Sequence, residues 1–140
     1  MGSEINEQRR AEVARRAGNR CEYCLIHEND VGFRHQVDHV VSRKHGGSSD
    51  LDNLAYACVL CNRRKGSDIA SINATTGEAI SLFHPRRDLW TNHFRIAGGV
   101  IEPLTDAGIA TVRLLRLNTT ERVAERRLLE TLGGYPRQVR

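Results

Sequence analysis

Two cysteine pairs with the same spacing, Cys21-Glu22-Tyr23-Cys24 and Cys58-Val59-Leu60-Cys61, constrain the fold of this chain more than any other feature. The opening MGSEINEQRR has no apolar stretch of the secretory kind, so a soluble, cytoplasmic chain with reduced thiols is expected. Two CxxC knuckles then predict one tetrahedral zinc site built from Cys21, Cys24, Cys58 and Cys61. The two-residue gap lets both thiolates of a pair turn toward one ion. A redox CxxC is the alternative, but a lone redox motif leaves the second pair unexplained. A staple also suits the composition. Only 39% of the 140 residues are hydrophobic and 5% aromatic, which predicts a small aliphatic core.

The chain carries 21 Lys and Arg against 17 Asp and Glu, for a formal charge of +4. Four thiolates around one Zn²⁺ add −2, so the zinc-loaded protein is nearer +2. Only two of the basic residues, Lys44 and Lys65, are lysine; the other 19 are arginine. Arginine's planar fork suits phosphate oxygens, which points to a polyanionic partner, although most such charges simply solvate a surface. No apolar run approaches the length of a membrane span, so no membrane partner is expected.

The pattern predicts one α+β domain over residues 1–140. Its core motif covers about 20–66 and a C-terminal extension covers about 67–140. Asn6 caps a helix through about Ala17, stopped by Gly18, with Val13, Ala14 and Ala17 as its apolar stripe. Gln36–Val41 alternates and is β-branched, and Leu54–Ala57 leads into the second knuckle; both read as short strands. Between them, Ser42–Asp52 is a polar loop containing Gly46-Gly47. Cys61–Lys65 is a short helix ended by Gly66. Beyond it, Ile69–Phe83 reads as a hairpin around Asn73–Gly77, and His84–Phe94 as a turn followed by a short helical piece. Val100–Leu104 reads as a strand and Thr105–Leu117 as a helix. Asn118 with Glu121 resembles a capping box for a last helix to about Leu132. That helix is expected to turn Val123, Leu128, Leu129 and Leu132 inward and to leave Arg122, Arg126 and Arg127 on a solvated face, with a DNA contact as the alternative.

Polar clusters fall inside the stapled segment: Asp38-His39 on the first strand, Asn53 before the second, and Asn62 opening the short helix. An aspartate beside an amide oxygen is a hard, oxygen-rich pair suited to Mg²⁺ or Mn²⁺. His39 is a competent base near neutral pH. In an ideal pleat it points to the opposite face from Asp38, so a twist or bulge is needed if both serve one reaction. Arg43, Lys44, Arg63, Arg64 and Lys65 flank these groups in sequence and are candidates to grip phosphates.

The motifs Cys21-x2-Cys24, Val37-Asp38-His39-Val40, Gly46-Gly47, Leu51-x-Asn53-Leu54 and Cys58-x2-Cys61-Asn62-x2-Lys65 resemble, in order and spacing, the HNH endonucleases. The resemblance implies a ββα-metal finger stapled by the four-cysteine zinc site. The finger would be flanked by an N-terminal helix and a C-terminal hairpin and helix extension. The implied activity is hydrolysis of DNA phosphodiesters with a single divalent ion. It makes His39 the general base and Asn53 the residue whose amide fixes the imidazole through nearby backbone. Asp38 and Asn62 become ligands of a catalytic Mg²⁺ or Mn²⁺, in an H-N-N variant of the motif. The tail, with Phe83-His84-Pro85-Arg86, Trp90-x2-His93-Phe94 and Pro103-Leu104-Thr105, also resembles one bacterial branch of small HNH proteins. His84 and His93 either pack that tail against the finger, touch DNA or join the site, with the structural role favoured. Trp90 and Phe94 read as core, while Arg86 and Arg87 suit either phosphate or acids such as Asp88. A non-catalytic zinc module that binds nucleic acid is the alternative, and RNA is not separated from DNA.

Overall fold

The computed structural model describes residues 5–137. Helix α1 spans Glu7–Ala17: the Asn6 side chain accepts from the Arg9 amide at 2.8 Å, and Gly18 ends the helix in the left-handed conformation at φ 65°. Its buried residues, Val13 and Ala17, pack with Leu54 and Tyr56. Strand β1 (Gln36–His39) pairs antiparallel with β2 (Leu54–Ala57), with Asp38 opposite Ala55 and His39 opposite Leu54. Helix α2 (Val59–Lys65) follows at once, its cap being the Cys58 sulfur, which accepts from the Cys61 amide at 3.4 Å. β1, β2 and α2 form the expected strand–strand–helix finger.

The hairpin β3 (Ala70–Ile72) and β4 (Ala79–Ser81) falls where expected. A short helix α3 (Trp90–His93) runs directly into a strand the sequence reading did not foresee, β5 (Phe94–Ala97), which pairs with β6 (Val100–Pro103). Helix α4 (Asp106–Leu114) is capped by Thr105, whose hydroxyl accepts from the Gly108 amide at 3.0 Å. It crosses close to α3: a Cβ on Gly108 would lie 2.5 Å from the His93 carbonyl oxygen, so only glycine fits there.

The last helix, α5 (Thr120–Thr131), departs from expectation twice. Its cap is Thr119, which accepts from the Arg122 amide, and not Asn118. The Asn118 carboxamide instead accepts from the Ile101 amide and donates to the Ile101 carbonyl, tying the chain to β6. The helix is also rotated relative to the hydrophobic count. Arg122 and Arg126 are buried, while Leu128 is 60% and Leu132 73% exposed. Buried acceptors explain the rotation. Arg126 donates to the carbonyls of Gly99 and Leu117, both at 2.7 Å, satisfying oxygens that no backbone amide reaches.

The main core gathers the four cysteines with Tyr23, Ile26, Phe83, Phe94, Ile101, Leu115 and Leu117, so the C-terminal half is packed on the cysteine cluster. Phe83 is its aromatic hub, edge-on to Phe94 at 5.3 Å and to His93 at 5.8 Å. Trp90 lies 4.9 Å from Phe94 and donates its indole N–H to the Tyr23 carbonyl. No helix among the described residues is long and apolar enough to cross a membrane.

Candidate metal centre and nuclease site

The ligand atoms of Cys21, Cys24, Cys58 and Cys61 all lie within 4.8 Å of one another, and all four residues are buried. Tetrahedral zinc with Zn–S bonds near 2.3 Å requires sulfurs about 3.8 Å apart. The Sγ atoms of Cys24 and Cys58 are 3.8 Å apart. The site fits zinc. Without an ion, burial pushes the Cys21 and Cys61 thiols up, while S–H donors of the other three cysteines pull Cys24 well down. Four thiolates gathered out of water need a cation between them.

A second positive charge reaches this cluster from α5. Arg122 Nη2 donates to the Cys61 sulfur at 3.1 Å and to the Cys58 sulfur at 3.8 Å; its Nη1 donates to the Leu115 carbonyl at 3.0 Å. Burial alone would lower its pKa, but the adjacent Cys61, Cys24 and Cys58 sulfurs more than offset that and raise it. Arg122 was expected on a solvated face. Nothing within its own helix marks it, because the sulfurs it reaches lie about sixty residues away in sequence.

β1 keeps its regular pleat, without the bulge that would bring neighbouring residues to one side. Asp38 is buried. It accepts from the Tyr23 hydroxyl at 2.7 Å and pairs with Lys65 Nζ at 3.2 Å. Burial raises the Asp38 pKa, with Lys65 and then Tyr23 pulling it back; burial also raises Tyr23, which keeps its proton to donate. Lys65 itself, expected among the phosphate-gripping residues, is 1% exposed. Besides Asp38 it donates to the carbonyls of His39 and Val40, at 3.3 and 3.0 Å. A buried ammonium with three partners binds its own chain, so Lys65 is no phosphate contact; it ties the end of α2 to the end of β1.

Asn62, one turn earlier on α2, donates Nδ2 to Gln36 Oε1 at 2.6 Å. Gln36 and Asp38 share one side of β1, and Asn62 and Lys65 share one side of α2. The seam therefore reads as two crossings, Gln36 to Asn62 and Asp38 to Lys65. Among the described residues no donor reaches Asn62 Oδ1. A buried carboxylate and a free carboxamide oxygen on one seam are donors of the type a hard divalent ion takes.

His39, next in the strand, has different surroundings. Its Nε2 lies 3.0 Å from Ser49 Oγ, and Nδ1 has no hydrogen-bond partner among the described residues. Burial lowers its pKa below the usual 6.5; Asp38 opposes this, while Arg43 and Lys65 add to it. Burial thus favours the neutral ring. Asn53 governs the loop beside it: Oδ1 accepts from the Val41 amide, and Nδ2 donates to the carbonyls of Val41 and Ser48 at 2.9 and 2.7 Å. Gly47 is required for that closure, since a Cβ there would lie 1.7 Å from the Val41 oxygen and 2.8 Å from Asn53 Nδ2. None of the four polar candidates hydrogen-bonds another. The structure joins His39 with Asn53 through the 41–49 loop, and Asp38 with Asn62 along the β1–α2 seam.

Arg43 and Lys44 are exposed on the turn after β1, and Arg63 and Arg64 are exposed on α2. Arg86 is not with them: it pairs with Glu22, whose other oxygen accepts from the Tyr56 amide. His93 packs on Phe83 and bonds the Thr105 hydroxyl at 2.6 Å, and His84 Nδ1 accepts from the Arg86 amide at 3.1 Å.

Comparison with known proteins agrees with this layout for the finger. No curated protein and no solved structure matches the chain. Residues 21–68 match the family model described as HNH endonuclease, a span that takes in both knuckles, β1, β2 and α2. The match covers 48 of the 140 residues, about a third of the chain, and is a likeness of that stretch to the family.

Proposed function

We propose that this protein is an HNH-type endonuclease that hydrolyses DNA phosphodiester bonds with one divalent ion and His39 as general base. The observation that carries the reading is the state of the His39 ring. Burial favours its neutral form, Nε2 lies against Ser49, Nδ1 has no partner among the described residues, and the adjoining loop is pinned by three Asn53 hydrogen bonds. A free imidazole nitrogen on a rigid support is what abstraction of a proton from water requires. Asn53 acts on the backbone and not on substrate, so its part is orientation.

Asp38 and Asn62 would hold the ion, Mg²⁺ or Mn²⁺ by the hardness of their oxygens. When bound, such an ion polarises the phosphoryl oxygen and stabilises the leaving alkoxide. Tyr23 and Lys65 keep the Asp38 carboxylate fixed. Arg43, Lys44, Arg63 and Arg64 are exposed and would neutralise flanking phosphates. The thiolate cluster stands apart from the chemistry and holds the finger together.

The Asp38–Lys65 pair favours a second reading. A carboxylate that already has a cation within 3.2 Å is also what a non-catalytic, zinc-stabilised nucleic-acid-binding module would keep. Incubating the zinc-loaded protein with supercoiled plasmid and Mg²⁺ or Mn²⁺ separates the two. Metal-dependent nicking, lost in EDTA and regained on adding metal, supports the endonuclease. Retention of plasmid without scission under either ion supports the binding module.

A further inference from the structure

Helix α1 lies outside the 21–68 stretch, yet its arginines close on the loop that carries the partner of His39. Arg9 Nη1 donates to the Ser49 carbonyl at 2.8 Å, and Ser49 Oγ lies 3.0 Å from His39 Nε2. About two helical turns later, Arg16 Nη1 donates to the Leu51 carbonyl at 2.9 Å, and its Nη2 reaches the Leu54 carbonyl. Arg10 reaches the His35 carbonyl just before β1. Three arginines of one helix thus satisfy backbone oxygens on both sides of the candidate base. Asn53 holds the same loop from within, through the Ser48 carbonyl next door.

The segment Gly46-Gly47-Ser48-Ser49 has no large side chain of its own to anchor it. A Gly/Ser stretch left to itself samples many conformations, and Ser49 could not then present its hydroxyl in one place. We propose that Arg9 and Ser49 are positioning residues that fix the tautomer and orientation of His39, with Nε2–H donated to Ser49 and Nδ1 left with its lone pair. The inference rests on the endonuclease reading only for what Nδ1 then does. Ring nitrogens of histidine are distinguished by the bond the other one makes, so a hydroxyl at Nε2 decides which nitrogen can act as base. On this account the N-terminal helix is part of the catalytic support and not merely a cover for β2.

The test uses the full zinc-loaded chain and two readouts. Long-range ¹⁵N–¹H correlation spectra near neutral pH report the His39 tautomer, and plasmid nicking reports kcat and KM. In the wild type a single Nε2–H tautomer is expected. In Ser49→Ala the ring should show mixed tautomers, and kcat should fall about 3- to 10-fold with KM unchanged, the scale of one neutral hydrogen bond. Ser49→Thr, which keeps a hydroxyl, should restore both. Arg9→Ala should move the spectrum in the same direction as Ser49→Ala, and Arg9→Lys less so. Should Arg9→Ala unfold α1, Arg9→Lys and Ser49→Ala decide the matter. A Ser49→Ala protein with the wild-type tautomer overturns the proposal, as does a loss of rate that Ser49→Thr does not repair. A wild type that never nicks DNA ends the endonuclease reading instead, and the spectra alone then judge the positioning of His39.

Discussion

Replacing Arg122 by alanine should loosen both the metal and the C-terminal half of the protein. Its Nη2 sits 3.1 Å from the Cys61 sulfur and 3.8 Å from the Cys58 sulfur. A zinc-bound cluster of four thiolates carries −2, roughly half a charge per sulfur. With an effective dielectric near 20, the two contacts amount to about 5 kcal/mol of gross attraction. Desolvation of the guanidinium offsets part of this, and breaking one side of a buried charge pair costs about 3–5 kcal/mol in general. The Leu115 carbonyl also loses its donor at 3.0 Å. For a chain of this length, about 3 kcal/mol corresponds to a fall in melting temperature of roughly 10 °C. Zinc should bind roughly 10- to 100-fold more weakly, if about 1.4–2.7 kcal/mol of the loss belongs to the metal-loaded state. Competition against a chromophoric chelator measures the affinity, and calorimetry measures the melting. Arg122→Lys keeps the charge but not the fork and should fall between the two. An Arg122→Ala protein with wild-type zinc affinity and melting temperature would refute the reasoning.

Three further outcomes follow from the same geometry. Lys65→Met leaves the Asp38 carboxylate buried and unpaired, so denaturant unfolding should show a loss of about 3–5 kcal/mol, much of it recovered in the double variant with Asp38→Asn. Gly47→Ala forces a methyl group against the Val41 oxygen and Asn53. Hydrogen exchange should show the 41–53 loop opened, with stability down by about 1–3 kcal/mol and nicking reduced. The His39 pKa lies below 6.5 because burial disfavours the charged ring, and the base must be neutral. The nicking rate should therefore be flat above that pH and fall as the pH drops through the depressed value. The His39 contribution to stability has the same sign, complete above 6.5 and lost on acidification. A rate limb centred above 6.5 would contradict this assignment.

The clustering of the four cysteines was legible because ligand spacing is a local property, and β2 and the β3–β4 hairpin because alternation and turn residues are local too. What escaped the sequence was set by contacts between distant segments. Counting apolar residues at helical spacing turned Leu128 and Leu132 inward. The acceptors that draw Arg122 and Arg126 inside belong to Cys61, Gly99, Leu115 and Leu117, and exist only once those segments meet. Strand β5 was hidden because Trp90 and Phe94 stand four apart, as on a helix, while the chain in fact changes from α3 to β5 at Phe94. Lys65 closes a run of three basic residues and reads as solvated, yet the buried Asp38 holds it inside. The alternation of Asp38 and His39 was foreseen as an obstacle to a shared site; β1 pairs through His39 without a bulge, so one reaction that uses both rests on strand twist at the end of β1, where His39 is the last residue. The part played by α1 had no sequence signal at all: an arginine that donates to a loop carbonyl looks like any other surface arginine.

DNA affinity and strand-scission rate, measured side by side on the wild type and His39→Ala, test the central claim most directly. Removing a general base typically lowers the rate by about 10²–10⁴-fold. The account predicts a fall of that size with DNA affinity unchanged, since none of the exposed basic residues is altered. Equal scission by both proteins would contradict it, and so would a wild type that binds DNA and never cuts it.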